Sequence, residues 1–154
     1  MEEDFVKSSD EDKSLRHLLD DLAPSLGFIP SGKEAYFEGF YLDRLWYTAL
    51  YSEMIPVIGF EIERGVPINE RLRKDITNLA WSRAPLGYIV VPDRRIRSNP
   101  KVNTGSTAEN WYANTFRKTF DTHCKPVKYH CEIRLLDFDK LMETKSLSEA
   151  RIDT

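Results

Sequence analysis

The N-terminal part of the chain carries leucines with helical spacing. They recur every three or four residues, at Leu15, Leu18, Leu19 and Leu22. This period predicts an amphipathic helix over about 10–23, with an acidic run at 10–12 near the positive end of the helix dipole and Pro24 as its end. The leucine face is expected to pack on the core.

The middle of the chain predicts strands joined by a helix. Residues 36–51 are rich in aromatic residues and leucine, which is typical of one or two strands. Residues 54–63 form a mostly apolar run that is typical of a strand buried on both faces. Helical spacing of apolar residues predicts a helix over 68–82, and the run LGYIVV at 86–91 predicts another core strand. A strand, helix, strand order favours a right-handed parallel crossover.

The C-terminal third predicts a loop, a helix and a last strand. Residues 92–105 are expected to form a basic loop, and Ser106 and Glu109 then have capping-box spacing. The following helix has an apolar face made of Ala108, Tyr112, Phe116 and Phe120. A strand is predicted over about 127–136, and the tail from about 145 is expected to be frayed.

These elements predict an α/β fold in which a central mixed β-sheet is flanked by helices. The length of 154 residues fits one domain spanning 1–154, with its core at about 34–136. No stretch approaches the roughly 18 consecutive apolar residues that span a bilayer, and the acidic start lacks the apolar region of a signal peptide. We therefore expect a cytoplasmic protein without membrane contact, in which the two cysteines are reduced.

Charge is distributed unevenly along the chain, although the formal net charge is only −3. Residues 1–21 hold eight acids and three bases, whereas 64–97 hold eight bases and three acids. A basic segment of this kind suits the phosphate backbone of nucleic acid, but such runs also occur as solvated surface. The candidate phosphate-binding residues are Arg64, Arg71, Lys74, Arg94, Arg95 and Arg97.

Three carboxylates are candidates for a shared site. A strand alternates its side chains, so Glu61 and Glu63 are expected on one face and Phe60 and Ile62 on the other. If the strand of Asp43 pairs antiparallel with 54–63, a third acid reaches the same edge. Close carboxylates repel each other unless a cation lies among them, and Mg²⁺ or Mn²⁺ suits oxygen ligands. The alternative is an ordinary strand edge with solvent-facing glutamates and an Asp43–Arg pair.

The order of these elements resembles the PD-(D/E)XK nuclease superfamily over about 34–91. Asp43 lies on one strand, the next strand ends in Gly59-Phe60-Glu61-Ile62-Glu63, and a helix and a further apolar strand follow. The resemblance implies a restriction-endonuclease-like sheet, with Asp43 and Glu61 as ligands of Mg²⁺ or Mn²⁺. It also implies hydrolysis of phosphodiester bonds, with DNA favoured over RNA, and a homodimer, since many enzymes of the superfamily cut as dimers.

The chain departs from the superfamily pattern at two positions. Leu42 precedes Asp43 where the name of the superfamily has proline, and Glu63 stands where the usual motif has lysine. Glu63 could act as the general base, or Lys74 of the next helix could supply the missing cation; we favour Glu63. The loss of lysine also leaves open an inactive nuclease-fold module that binds nucleic acid or a protein. A further upstream acid is expected to be Glu34 or Glu38.

Two His-Cys dipeptides offer other chemistry, at 123–124 and 130–131. Histidine and cysteine are zinc ligands, but adjacent residues of a strand point to opposite faces and no Cys-x-x-Cys spacing occurs. A Cys-His nucleophilic pair lacks an identifiable orienting acid. We therefore prefer core cysteines and surface histidines. A plain α/β interaction domain without metal is the remaining alternative.

Overall fold

The computed structural model describes residues 2–37, 40–65, 70–98, 111–124 and 131–152. The strands are β1 (Ile29–Pro30), β2 (Ala35–Phe37), β3 (Phe40–Leu42), β4 (Arg44–Leu50), β5 (Glu53–Ile62), β6 (Leu86–Val91), β7 (Glu132–Asp137) and β8 (Arg151–Ile152). The α-helices are α1 (Glu2–Ser25), α2 (Glu70–Trp81), α3 (Asp93–Ser98), α4 (Arg117–Cys124), α5 (Phe138–Thr144) and α6 (Leu147–Ala150). A π-helix, Trp111–Phe116, runs directly into α4.

Six strands form one mixed sheet in the order β1-β4-β5-β6-β7-β8, and β2 and β3 form a separate hairpin. β5, β6 and β7 are parallel, whereas β4 pairs antiparallel with β5 and β8 antiparallel with β7. The predicted α/β class, the mixed sheet with flanking helices and the parallel β5–α2–β6 crossover are confirmed. The antiparallel pairing of β4 with β5 is confirmed as well.

One face of the sheet is covered by α1 together with α5 and α6. The apolar stripe of α1 is fully buried at Leu15 and Leu19. It packs on sheet residues that include Trp46 and Phe60, whose rings are 4.6 Å apart. The period of the leucines therefore predicts the buried side of α1 correctly.

The other face is covered by α2, the π-helix and α4. Leu72, Ile76 and Leu79 of α2 are fully buried in this second cluster. Glycines at Gly59 and Gly87 let α2 approach the sheet, since a Cβ added at Gly87 would lie 3.2 Å from the Cβ of Leu79. The position of α2 over the ends of β5 and β6 depends on this close approach.

The π-helix changes the expected packing of the aromatic residues. Trp111 and Tyr112 are adjacent, and both are buried with their rings edge to face at 5.2 Å. The predicted face of Tyr112, Phe116 and Phe120 does pack on the core. The wider turn of a π-helix adds Trp111 to that face, which an α-helical period does not predict.

Four of the predicted boundaries are wrong. Helix α1 begins at Glu2 and not near residue 10. Pro24 does not end α1, which continues to Ser25 because a proline in the last turn removes only one main-chain donor. Residues 93–98 form α3 instead of loop, with Ile96 buried. Residues 145–152 are not frayed as expected: α6 buries Ala150, and β8 pairs with β7. The capping-box residues at 106 and 109 and the first part of the predicted last strand lie outside the described residues.

No helix within the described ranges is long and apolar enough to cross a membrane. β5 is exposed over its first three residues, half-buried at Pro56 and Val57, and buried from Ile58 to Ile62. The expectation of burial on both faces therefore holds only for its C-terminal half. The buried half is the one that leads into the glutamates.

Gly87→Ala is expected to destabilise the protein. Its Cβ would lie 3.2 Å from the Cβ of Leu79, so α2 must move outward, and overpacking of this kind costs about 1–3 kcal/mol. Thermal melting should show a lowered midpoint. Gly65→Ala is the matched control, because no heavy atom lies within 4 Å of the added Cβ. Equal melting temperatures for the two variants would contradict the close approach of α2.

Candidate functional site

Glu61 and Glu63 lie where β5 leaves the sheet. Both are buried, with 8% and 3% of their surface exposed. The main-chain N–H of Glu63 donates to the carbonyl of Val90 at 2.8 Å, which continues the β5–β6 ladder past the end of β5. Phe60 and Ile62 belong to the core cluster on the α1 side of the sheet. The expected alternation is confirmed, but the glutamates are covered by α2 and do not face solvent.

Asp43 lies between β3 and β4, next to the end of β5. Its Oδ2 accepts the main-chain N–H of Ile62 at 2.7 Å. The antiparallel register of β4 and β5, which pairs Arg44 with Phe60, brings the aspartate to this point. Asp43 and Glu61 therefore line one cleft, as the strand pairing predicts.

Helix α1 holds Asp43 and Arg44 with two ion pairs, one helical turn apart. Arg16 Nη2 lies 2.9 Å from Asp43 Oδ1, and Arg44 Nε lies 2.8 Å from Asp20 Oδ1. The alternative of an ordinary strand edge predicts an Asp43–Arg pair and solvent-facing glutamates, and the Asp43–Arg16 pair agrees with its first part. The second part, solvent-facing glutamates, is wrong.

A fourth carboxyl group, Asp75 of α2, was missed by the sequence reasoning. It is 3% exposed and contacts both Glu61 and Glu63. Its place on the helix carried the signal, because Asp75 falls between Leu72 and Leu79 on the stripe that faces the sheet. An acid on a buried stripe needs a partner, and here the partners are the two glutamates.

Burial dominates the electrostatics of this cluster. It raises the pKa of Glu61 to about 9, with the neighbouring charges of Asp43 and Glu63 adding to the effect. Burial, followed by its contacts with Glu63, also raises the pKa of Asp75. Among the residues that the structure describes, none donates a hydrogen bond to Glu61 Oε1 or Asp75 Oδ2. The cluster is therefore short of positive charge, and protons or a cation must supply it.

Basic side chains form the outer wall of the cleft, which has a volume of about 680 Å³. Arg71 Nε lies 2.7 Å from Glu63 Oε2. Lys74 is exposed and lowers the pKa of Glu61 by its charge, and Arg64 and Arg16 also line the cleft. Lys74 and three arginines thus line the cleft together with the buried acids and the exposed Glu70.

The other candidate phosphate-binding residues lie on α3. Arg95 donates to the main-chain carbonyl of Arg64, which connects α3 to the cleft. Arg94 is paired with Asp139 at 3.1 Å, and Arg97 with Asp93 at 2.7 Å. Arg94, Arg95 and Arg97 therefore do not line the cleft, although the sequence groups them with the residues that do.

The structure describes only some of the remaining candidate residues, namely the upstream acids and the His-Cys dipeptides. Glu34 Oε1 lies 3.6 Å from Arg16 Nη1, whereas Glu38 lies outside the described residues. Cys131 is buried, and His130 and the side chains of residues 123 and 124 are not among those described.

The donor set suits a hard cation that keeps part of its water shell. Among the described residues, no group of three acid, histidine or cysteine side chains converges as a ready ligand set. Magnesium commonly binds through one or two carboxylates together with water and substrate oxygens. Asp43 and Glu61 line one cleft and could supply two such carboxylates.

Comparison of the chain with protein-family models, curated proteins and solved structures yields no match.

Glu61→Gln is expected to stabilise the protein in the absence of metal. Folded Glu61 has a pKa of about 9 against an ordinary value of 4.5, so the folded state keeps a proton that the unfolded chain loses. Stability is therefore full below about pH 4.5 and falls as the pH rises toward 9. Glutamine removes this loss, and we expect a gain of up to about 5 kcal/mol at pH 8, measured by urea unfolding with chelator.

The gain should shrink as the pH falls and vanish below about pH 4.5, where wild-type Glu61 is protonated in both the folded and the unfolded state. Glu143→Gln on the exposed side of α5 is the control and should show no pH-dependent gain. A gain for Glu61→Gln that does not change with pH would argue against a buried, protonated Glu61.

Proposed function

We propose that the protein is a metal-dependent nuclease that hydrolyses phosphodiester bonds, with DNA as its substrate. The observation that carries the proposal is the buried carboxyl cluster beside Asp43, which has too little positive charge to balance its acids and lies in a cleft that basic side chains also line. A core that served stability alone would favour apolar side chains at these positions, because burying several carboxyl groups together is costly. The resemblance of residues 34–91 to PD-(D/E)XK nucleases supports the same conclusion.

Asp43 and Glu61 would hold Mg²⁺ or Mn²⁺. Such an ion, when bound, lowers the pKa of water and stabilises charge on phosphoryl oxygens. Asp43 is held by the N–H of Ile62 and Glu61 by the sheet, so both carboxyl groups are set in position by main-chain pairing. Glu63 and Asp75 stand behind Glu61, where their contacts orient it.

Lys74 is better placed than Glu63 to meet the substrate. Glu63 is 3% exposed and ion-paired with Arg71, whereas Lys74 is exposed in the cleft close to Glu61. An ammonium there can stabilise negative charge that develops on the scissile phosphate. We therefore propose that Lys74 supplies the positive charge that the usual motif places at the position of Glu63. Glu63 then has a positioning role through its contacts with Arg71 and Asp75. This reverses the preference drawn from the sequence.

The basic wall supports a polyanionic substrate. Arg64 and Arg71 line the cleft beside Lys74, and their guanidinium groups suit phosphate oxygens. Arg94, Arg95 and Arg97 lie on α3 outside the cleft, and each would have to exchange its partner within the chain to contact a phosphate further along the strand. The homodimer that the resemblance implies remains part of the proposal and is tested by the oligomeric state in solution.

Asp43→Asn and Glu61→Gln are expected to abolish cleavage of plasmid and single-stranded DNA with Mg²⁺ or Mn²⁺. Each change keeps the shape of the side chain and removes a charge that the ion needs, so activity should fall by about 10³-fold or more. Asp21→Asn, on the exposed face of α1, is the control and should retain activity.

The same assay separates the proposal from its rivals. Wild-type protein that binds DNA but never cuts it supports the inactive module. Protein that neither binds DNA nor responds to Mn²⁺ supports a plain interaction domain. Cutting that survives Asp43→Asn and Glu61→Gln would show that the activity lies elsewhere.

Lys74→Met is expected to lower kcat by about 10²-fold with a smaller change in Mn²⁺ affinity, because the ammonium acts on the charge of the transition state. Arg73→Met, on the neighbouring exposed position outside the cleft, is the matched control. Single-turnover cleavage and Mn²⁺ titration measure the two effects separately. Equal losses of kcat in Lys74→Met and Arg73→Met would show that Lys74 contributes only general positive charge and has no specific role in the transition state.

A further inference from the structure

Arg16 of α1 reaches into the same cleft and contacts the candidate metal ligand Asp43. Its Nη2 lies 2.9 Å from Asp43 Oδ1, with 24% of the arginine side chain and 17% of the aspartate side chain exposed. Nη1 lies 3.6 Å from Glu34 Oε1. A positive group of this chain therefore stands beside Asp43, where a divalent cation would also bind.

The two oxygens of Asp43 have different partners. Oδ2 accepts the main-chain N–H of Ile62, which holds the carboxylate against the end of β5. Oδ1 contacts Arg16. A cation that binds Asp43 through Oδ1 competes with the guanidinium, because two positive groups at one oxygen repel each other.

Helix α1 can stay in place when Arg16 moves. Asp20, one helical turn further on, holds Arg44 at 2.8 Å, and Leu15 and Leu19 are fully buried under the sheet. The long arginine side chain can thus change its partner without movement of the helix. The freed guanidinium remains in a cleft that the substrate must enter, and its planar donors suit two oxygens of a phosphate.

We propose that Arg16 is an exchanging counterion of the metal site: it neutralises Asp43 in the metal-free protein and binds the substrate phosphodiester once the metal has taken its place. The inference rests on the proposed nuclease function and adds a substrate-binding residue from α1 to it. Metal binding and phosphate binding are then coupled through one side chain.

The test is the sign of two effects in Arg16→Met. Removal of the competing cation should tighten Mn²⁺ binding by about three- to tenfold, measured by calorimetry on the intact protein without DNA. Removal of the phosphate contact should raise KM for DNA by about tenfold or more. Arg16→Lys keeps a positive charge and should stay near wild type in Mn²⁺ affinity while losing part of the DNA binding.

Asp20→Asn is the matched control, since it breaks the neighbouring ion pair of α1 and leaves the charge at Asp43 unchanged. Its Mn²⁺ affinity should stay within about twofold of wild type. Thermal melting of each variant checks folding. Arg16→Gln, which keeps a donor toward Asp43, replaces Arg16→Met if the latter does not fold, with the same two expectations.

The outcomes separate the inference from the proposed function. If the wild type cuts DNA and needs Asp43 and Glu61, but Arg16→Met leaves Mn²⁺ affinity unchanged or lowers it, Arg16 only clamps α1 and the inference is wrong. Tighter Mn²⁺ binding with unchanged KM also overturns it, because no phosphate contact was lost. If the wild type neither binds Mn²⁺ nor cuts, the nuclease proposal fails and the inference fails with it.

Discussion

The burial of carboxyl groups at the end of β5 is the constraint to which the rest of the site responds. Glu61, Glu63 and Asp75 lie together under α2 with little access to water. Three ionised groups cannot coexist there without compensation. Arg71 pairs with Glu63, Lys74 acts on Glu61, and the raised pKa values of Glu61 and Asp75 keep protons in the cluster. Apolar packing elsewhere on both faces of the sheet must offset the cost that remains.

Strong periodicity made most of the fold predictable. The leucine stripe of α1 and the LGYIVV strand are local patterns, and each element appears with the expected type. The relation of Asp43 to Glu61 was also accessible, because antiparallel pairing and side-chain alternation follow from backbone geometry. Short elements with few apolar residues were not predictable in this way. β8 is two residues long, and its pairing with β7 becomes evident only when the sheet is assembled.

The part of the site contributed by helices could not be predicted from spacing. Arg16 and Asp43 are 27 residues apart, and their contact depends on how α1 lies across the sheet. Asp75 belongs to a segment that reads as basic, so its own charge was hidden among arginines and lysines. Charge counting likewise joined α2 and α3 into one basic surface. The fold separates them, because Arg94 and Arg97 pair with aspartates near the ends of β6 and β7 while Arg71 and Lys74 line the cleft.

The negative charge of the carboxyl cluster can be neutralised either by bound protons or by a bound cation. The metal-free cluster is best satisfied at low pH, since Glu61 keeps its proton up to about pH 9. A divalent ion must displace that proton, so its affinity should grow with pH over the range in which the metal-free fold weakens. On the proposed function, the burial that lowers the stability of the metal-free fold would favour binding of the ion, as is typical where binding sites are less stable than their surroundings. Arg16 has a similar effect, since its guanidinium partly neutralises Asp43 while the cleft stays open to other ligands.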